Sequence, residues 1–555
     1  MKMSNSTEVI QTIDSKLLFN IDIPEDAINN LISFDNFPCL HYIYHINNLI
    51  KDPIFKKSDI SKHKDIFYKN KDLIKQMNLL PDFTINEEVL FDAENCLLSR
   101  FSCINLIERI LKYGKFKNNN ILEFNDEWLT KILLLNVFET NIDEEIDMEE
   151  SHKDLLNLYL SIISYNQFPN DINGSNYFRL SYIYDNYIIL NKEINQLFEK
   201  NNNYSVKSYL IFLQLFFLFG SYNNPFFKSN FMNNTKLAKE IKKCINEHIF
   251  DYNLDSEKNK IIINSYIPSK ILLEKPIAIF DNKYLVINPG FLMNRIYGIF
   301  FQKIKLSIKN NALFNKKFYG PLFENYCRDI ARKYTNQSKY KYYNFIEPFR
   351  YDISGDDKES SDFYINYNDI TIIFEIKSTQ RFIETTIDVD IEGKEKYIED
   401  EMNYKIKAPL EQIEKRLEEI KTLNNNEYPD ISLDKIQNSS KYYYIIVSDE
   451  TIINNYKLYN EYLSKLKVKY SNHIPLYLNI SEFEYLMTSL SKRKKAIDKV
   501  LEHYYKNYYA STFTEMIMKE KTTFKFSRPD IFDKYPYQEE LKSILKNWNN
   551  KLYIV

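Results

Sequence analysis

Glycine is scarce in this chain. Only 8 glycines occur among 555 residues, whereas the usual share is about 7%. No two of them have the spacing of a GxxxxGK phosphate-binding loop or a GxGxxG dinucleotide-binding turn, both of which need glycine because the backbone approaches a phosphate closely. The sequence therefore excludes an ordinary P-loop NTPase or Rossmann-type enzyme and predicts no nucleotide-binding motif in this chain.

Cysteine pairs and long apolar segments are also missing. The 5 cysteines form no CxxC pair, which excludes a zinc ribbon and argues against a disulfide framework. The longest apolar run, 209–219, is interrupted by Gln214 and is shorter than the ~20 residues of a membrane-spanning helix. The first ten residues lack the apolar segment of a signal peptide. We expect a cytoplasmic protein with reduced thiols, with 209–219 as a buried helix and no contact with a membrane.

The chain has no excess of positive charge. Lys and Arg number 73 and Asp and Glu 76, for a net charge of -3, so a site for a polyanion must be local. One candidate is a basic cluster followed by His503 and several tyrosines, which could bind a phosphate backbone and unstacked bases. A solvated helix face with tyrosines in the core explains the same pattern equally well. The cluster consists of Lys492, Arg493, Lys494 and Lys495.

The periodicity of apolar residues divides the chain into four segments. It is mostly helical over 1–265, which we interpret as a sensor, partner or specificity domain. A connecting β/α segment covers 266–315, with strand-like runs at 276–280 and 284–287. A mixed sheet flanked by helices is predicted over 316–490, and a helical extension over 491–555. Within the third segment we predict helices at 316–334, 403–423 and from 481, and strands at 342–350, 361–367, 371–379, 441–448 and 473–480.

The strand at 371–379 carries the residues of greatest chemical interest. Side chains alternate along a strand, so Glu375 and Lys377 share one face while the apolar residues beside them face a core. A hairpin turn near 366–369 would fold Asp362 back beside Glu375. Two carboxylates and one ammonium group are therefore predicted to converge at one edge of the sheet.

Such a pair of carboxylates favours a divalent metal. Two carboxylates at one point repel each other unless a cation lies between them, and Mg²⁺ is commonly bound by one or two carboxylates together with waters and phosphate oxygens. Mn²⁺ could substitute for it. A metal here would polarise a phosphodiester, while Lys377 could orient or deprotonate the nucleophile or neutralise developing charge.

These residues and the helix before them resemble the PD-(D/E)XK, restriction-endonuclease-like nuclease superfamily. The resemblance covers about 316–490 and implies an α/β core of that type, preceded by the large helical domain. It implies that Asp362 and Glu375 bind the metal, that Lys377 assists the attacking water, and that Glu324 and Gln412 support the site from the flanking helices. Ser361 occupies the position of the name-giving proline.

The resemblance implies a Mg²⁺-dependent endonuclease acting on DNA, by analogy in prokaryotic restriction or antiphage defence. Two alternatives stay open: a ribonuclease that uses the same metal site, and an inactive nucleic-acid-binding or scaffold subunit. A homodimer or a partner protein bound through the helical domain is compatible with either. The acidic segment 384–401 is interpreted either as a flap that screens the site or as a solvated loop.

The tripeptide Glu-Ile-Lys occurs three times in the chain. At 240–242 and 419–421 it lies within helical patterns, where the two charges are expected on a solvated surface. Only the copy at 375–377 ends an apolar strand. Position in a strand, and not the tripeptide itself, therefore distinguishes the candidate site.

Overall fold

The computed structural model describes most of the chain, with gaps. The described residues are 11–21, single positions between 28 and 49, 57–76, 83–93, 95–98, 100–114, 125–141, 175–188, 192–221, 226–228, 232–263, 269–280, 283–287, single positions between 300 and 314, 318–338, 342–378, 407–448, 473–492, 496–508, 513–532 and 536–545. Helices and sheets both occur in them, and one sheet contains parallel as well as antiparallel strands. The coarse α/β prediction is therefore confirmed. The acidic segment 384–401 and Arg493, Lys494 and Lys495 lie outside the described residues.

The first half is predominantly helical, as its apolar periodicity predicts. A π-helical turn, Tyr184–Ile188, follows the seventh of its described helices. These helices are α1 (Ser15–Phe19), α2 (Lys57–Lys69), α3 (Lys71–Gln76), α4 (Glu87–Phe91), α5 (Arg100–Tyr113), α6 (Asp126–Asn141), α7 (Ser175–Ile183), α8 (Lys192–Asn202), α9 (Val206–Ser221), α10 (Lys236–Glu247), α11 (Asp255–Lys258) and α12 (Lys270–Glu274).

Short strands interrupt this helical half. The two strand-like runs predicted at 276–280 and 284–287 are strands at 277–280 and 283–286, and they pair as an antiparallel hairpin. Four further strands were not predicted, because runs of two or three residues are too short to show an alternating pattern. The six strands are β1 (Gln11–Thr12), β2 (Asn95–Cys96), β3 (Phe226–Lys228), β4 (Ile249–Asp251), β5 (Ile277–Phe280) and β6 (Lys283–Val286). β1 pairs with β2, and the others form a sheet of order β3-β6-β5-β4.

Helix α9 contains the apolar run at 209–219. Leu210, Phe212 and Phe216 are fully buried, because this helix packs against α7, α10 and β6. The prediction of a buried helix is therefore confirmed. None of the described helices is long and apolar enough to span a bilayer.

The second half is built on a five-stranded mixed sheet. Its order is β13-β12-β11-β10-β7, with β7, β10 and β11 antiparallel and β11, β12 and β13 parallel. The predicted mixed sheet is therefore confirmed. The strands are β7 (Asn344–Ile346), β8 (Arg350–Ile353), β9 (Asp356–Glu359), β10 (Phe363–Tyr367), β11 (Ile370–Lys377), β12 (Lys441–Ser448) and β13 (His473–Asn479).

The single strand predicted at 342–350 is wrong. The segment forms β7 and the start of β8, and β8 pairs with β9 in a separate hairpin. Pro348 lies between the two strands and, without an N–H group, cannot continue a ladder of hydrogen bonds. Ser354 and Gly355 make the turn of the extra hairpin with positive φ values of 58° and 90°, a conformation that glycine adopts at little cost.

Helices cover both faces of the five-stranded sheet. One face packs against α13 and α16, where Phe374 lies against Phe363 and Phe483. On the other face, Ile373 belongs to a buried cluster with Leu410 and Ile413 of α14. The described helix α14 ends before Thr422, whereas the prediction continued it to 423. Residues 403–406 of the predicted range lie outside the described residues. The helices are α13 (Gly320–Asn336), α14 (Ala408–Lys421), α15 (Leu433–Gln437) and α16 (Ile480–Lys492).

Helices also form the last described part of the chain, as predicted for 491–555. They are α17 (Ile497–Asn507), α18 (Phe513–Lys519), α19 (Lys521–Phe524) and α20 (Gln538–Ile544). Their buried side chains join those of α7 to α10 and of the sheet in one hydrophobic cluster. The functional division at 265, 315 and 490 stays a prediction.

Candidate active site

The hairpin of β10 and β11 brings the two predicted strand acids together. Tyr367 pairs with Ile370 and Phe363 with Phe374, so the next position outward sets Asp362 opposite Glu375. The Ile376 N–H donates a 2.5 Å hydrogen bond to Oδ2 of Asp362. The turn between the strands contains Asn368 at a φ of 54°, which confirms the hairpin predicted near 366–369.

Glu375 is buried and carries two cationic partners. Its side chain is only 4% exposed. Oε1 accepts a 3.0 Å hydrogen bond from Nζ of Lys377, and Oε2 accepts a 2.9 Å hydrogen bond from Nη1 of Arg416. The contact with Lys377 follows from the alternation of side chains on β11, as predicted. Glu375 is thus a buried acid with two cationic hydrogen-bond donors, and hydrogen bonds that involve a charged group are stronger than those between neutral groups.

Helix α14 supplies two side chains to this face of the sheet. Oε1 of Gln412 accepts a 3.3 Å hydrogen bond from Nζ of Lys377, so the structure places Gln412 beside the predicted site. Arg416 lies one helical turn later and was not predicted. Its spacing of four from Gln412 is the signal in the sequence, because residues four apart share a helix face.

Glu324 approaches from α13 on the other side of the sheet. Its half-buried carboxylate lies 3.7 Å from Nη2 of Arg328. Burial raises the pKa of Glu324, and the carboxylates of Glu359 and Glu375 raise this pKa further, while Arg328 and Lys377 oppose the shift. Glu324 is therefore within electrostatic range of both Glu375 and Lys377.

The neighbouring charged groups shift the pKa of Asp362, at the end of the hairpin. Burial raises the pKa of Asp362 well above its usual range, and the carboxylates of Glu375 and Glu324 raise it further. The Ile376 N–H and the Lys377 ammonium group act in the opposite direction. Three carboxylates thus repel one another at one place, which is the condition under which a bound cation stabilises a site.

The donor set fits a hard divalent cation. Among the described residues, no group of three or more His, Cys, Asp or Glu side chains is arranged to enclose a metal. Mg²⁺, however, is usually held by one or two carboxylates and completes its shell with waters and phosphate oxygens. Asp362 and Glu375 meet that requirement, since each carboxylate offers about four lone-pair sites.

The predicted basic cluster is described only at its first residue. Lys492 is exposed at the end of α16 and donates a 2.8 Å hydrogen bond to Oγ of Ser527. Tyr504, in the aromatic run that follows, is buried and packs against Phe513. At Tyr504, therefore, the ring belongs to the core, and the nucleic-acid role of the cluster stays a prediction.

The other two Glu-Ile-Lys copies lie in helices, as predicted. Glu240 of α10 accepts hydrogen bonds from the hydroxyl groups of Ser205 and Ser208. Glu419 of α14 accepts hydrogen bonds from Lys358 and Tyr351. The expected solvated surface is found for Lys242 and Lys421, which are exposed. Glu240 and Glu419 are partly buried instead, because each connects its helix to a neighbouring element.

Comparison with known proteins adds no relative to this description. Searches against protein-family models, curated proteins and solved structures find no match for this chain. What the site can do must therefore be inferred from the side chains around Glu375.

Proposed function

We propose that this protein is a divalent-metal-dependent nuclease that hydrolyses DNA phosphodiester bonds. One observation carries the proposal: the β10-β11 register sets Asp362 opposite Glu375, and Nζ of Lys377 lies 3.0 Å from Glu375. Two acids and an amine in this arrangement supply the metal ligands and the proton-handling group that the reaction needs.

The topology around these residues supports a PD-(D/E)XK-like core. A helix precedes an antiparallel three-stranded meander, and β11 then connects through α14 to the parallel strand β12. The acids lie at the edge where β11 and β12 end, which is where ligands of open α/β sheets commonly bind. Membership of the superfamily is part of the proposal, as is a role in prokaryotic restriction or antiphage defence, which rests on analogy alone.

Each side chain has a distinct task in this proposal. Asp362 and Glu375 would hold Mg²⁺ or Mn²⁺, which supplies Lewis-acid activation of the scissile phosphate. Lys377, held by Glu375 and Gln412, would orient the attacking water. It would accept the proton of that water only after its own ammonium group has released a proton to solvent. Glu324 would contribute from α13 through an intervening water.

The decisive experiment compares wild type with Glu375→Gln on plasmid, linear and single-stranded DNA and on RNA, each with Mg²⁺ or with EDTA. Loss of a group that stabilises the transition state typically costs about 10²–10³ in kcat, so we expect at least that loss in the variant and no cleavage in EDTA. Glu418→Gln makes the same chemical change at an exposed acid of the neighbouring helix α14, so it is the matched control and should keep full activity.

The outcomes separate the alternatives. Equal degradation by wild type and Glu375→Gln would point to a contaminating nuclease and remove the assignment. Cleavage of RNA alone would favour the ribonuclease. Binding without cleavage of any substrate would favour the inactive nucleic-acid-binding or scaffold subunit.

A further inference from the structure

Arg416 makes a contact that the proposed reaction does not use. Its Nη1 lies 2.9 Å from Oε2 of Glu375, whose other oxygen is occupied by Lys377. The arginine side chain is 18% exposed, whereas that of Glu375 is 4% exposed. Arg416 therefore bridges the buried acid and the solvent from which a substrate would arrive.

The contact balances charge in the absence of a metal. Two of the three acids of the site have a cation nearby: Lys377 and Arg416 contact Glu375 directly, and Arg328 lies 3.7 Å from Glu324. A divalent ion bound to Glu375 adds two positive charges next to the guanidinium. Like charges separated by ~4 Å repel even in water, so the ion and Arg416 compete for the same carboxylate.

A phosphodiester would offer Arg416 a new anionic partner in place of Glu375. Guanidinium groups are planar and present parallel N–H donors that match two phosphate oxygens, and they remain charged at every relevant pH. Arg416 projects from the same face of α14 as Gln412, which contacts the catalytic lysine. A phosphate drawn to a metal on Glu375 would therefore arrive beside the displaced guanidinium.

The geometry points to Arg416 as a residue that exchanges partners, neutralising Glu375 without metal and binding the scissile phosphate once metal occupies the carboxylate. This inference rests on the proposed nuclease function. It assigns Arg416 two measurable effects of opposite sign: it weakens metal binding and strengthens nucleic-acid binding. An arginine that only positions Glu375 would strengthen metal binding instead.

The test uses the full chain with Arg416→Gln and Arg416→Lys. Mn²⁺ affinity is measured by calorimetry without nucleic acid. DNA affinity is measured by fluorescence anisotropy on a short duplex in Ca²⁺, with gels that verify the duplex stays intact. Lys415→Gln, which removes an exposed charge from the adjacent position of α14, is the matched control. Circular dichroism melting curves check that each variant is folded.

We expect Arg416→Gln to bind Mn²⁺ severalfold more tightly and DNA about tenfold more weakly, the size expected for one charge-assisted hydrogen bond. Arg416→Lys should retain Mn²⁺ affinity near that of wild type and lose less DNA affinity than Arg416→Gln. Lys415→Gln should change both affinities by less than about twofold, because an exposed charge is screened.

Three results overturn the inference. If Arg416→Gln binds Mn²⁺ more weakly than wild type or equally well, Arg416 either positions Glu375 or has no effect on the metal. If the DNA affinity of Arg416→Gln is unchanged, Arg416 does not contact the phosphate. If wild type binds Mn²⁺ and Glu375→Gln abolishes that binding, failure of the Arg416 variants refutes the exchange alone. If wild type binds no Mn²⁺, the proposed function and the exchange fail together.

Discussion

Lys377 is held by partners on two different elements of the fold. Its ammonium group lies within hydrogen-bonding distance of both Glu375 and Gln412, which belong to the sheet and to the helix packed on it. Two partners on different elements fix the direction of a side chain that would otherwise have many rotamers. The amine is therefore placed in advance of substrate binding.

We predict that Lys377→Gln lowers kcat by about 10²–10³-fold, within the range of a lost acid–base group, while Mn²⁺ affinity stays equal to that of wild type or increases. The affinity should not fall, because the substitution removes a positive charge next to Glu375. Steady-state kinetics and calorimetry measure the two quantities. Lys499→Gln, at an exposed position of α17, is the control and should leave both unchanged. A large loss of Mn²⁺ binding in Lys377→Gln would instead show that the lysine supports the metal site structurally.

Glu108 is an ionisable residue that is distant in sequence from the candidate active site. Its side chain is fully buried on α5 and accepts a hydrogen bond from the backbone N–H of Ser269. Burial raises its pKa from 4.5 to about 8, and Glu139 adds to the shift, while Ser269 and Arg109 oppose it. The folded protein thus binds this proton more tightly than the unfolded chain does.

A pH dependence of stability follows from Glu108. A raised pKa in the folded state contributes stability that is complete below about pH 4.5 and is lost as pH rises toward about 8. We predict that Glu108→Gln, which mimics the protonated acid, gains a few kcal/mol relative to wild type between pH 5 and pH 8. Urea unfolding at several pH values measures this difference, and Glu127→Gln, at an exposed acid on α6, should run parallel to wild type. Parallel curves for Glu108→Gln would mean that the carboxylate is not protonated in the fold.

At the scale of elements, the β10-β11 hairpin determines whether the site exists. A shift of its register by one residue would move every side chain to the opposite face and separate Asp362 from Glu375. The register depends on a turn of two residues, in which Asn368 adopts a positive φ. Asparagine tolerates this left-handed conformation better than most residues.

We predict that the free energy of unfolding of Asn368→Ala is about 1 kcal/mol lower than that of Asn368→Gly. Alanine has a Cβ, which makes the left-handed conformation unfavourable, whereas glycine has none. Both variants remove the asparagine amide, so the comparison isolates the backbone. Chemical unfolding measures the difference. Equal stabilities would show that the turn relaxes to another conformation.

Helices and strands could be predicted from the sequence where residues close together in the chain determine them. The strand at 441–448 was predicted with its observed bounds, because it is a continuous run of aromatic and β-branched residues. The hairpin of β8 and β9 was missed, since β9 contains Asp356 and Asp357, which have low strand propensity. The second strand of this hairpin, β9, consists of polar residues only, so no apolar alternation marks it.

Within the site, the sequence predicted what one strand and one turn determine. Alternation placed Glu375 with Lys377, and the turn placed Asp362, but neither indicates which helix residue faces the carboxylate. Arg416 contacts Glu375 only because α14 crosses the sheet at a particular position. That position depends on the packing of its apolar residues against β11 and β12, which are distant in sequence.

At the scale of the whole molecule, a buried ion pair joins the helical half to the candidate nuclease core. Arg179 of α7 donates hydrogen bonds of 2.5 and 2.9 Å to the two carboxylate oxygens of Glu484 on α16. Tyr326 of α13 donates a further 2.6 Å hydrogen bond to Glu484. Since Glu324 lies two residues from Tyr326 on the same helix, this network connects α7 to the helix that carries a residue of the candidate site.

We predict that Arg179→Met lowers the free energy of unfolding by about 3–5 kcal/mol, because it leaves Glu484 buried without its counter-charge. Arg332→Met, which breaks exposed pairs with Asp329 and Glu347, should cost less than about 1 kcal/mol. Denaturant unfolding compares the two variants. A double variant, Arg179→Met with Glu484→Gln, should recover part of the loss, and failure to recover any would show that the cost arises from packing alone.

The same pair also affects the order in which the protein can mature. Glu484 follows Arg179 by 305 positions, so on the ribosome the guanidinium is made long before its counter-charge emerges. Until α16 has left the exit tunnel, α13 lacks the partner of Tyr326 and β13 has only just been synthesised. A nascent or prematurely ended chain therefore cannot complete the contacts of α13, the helix that carries Glu324, until synthesis has passed residue 484.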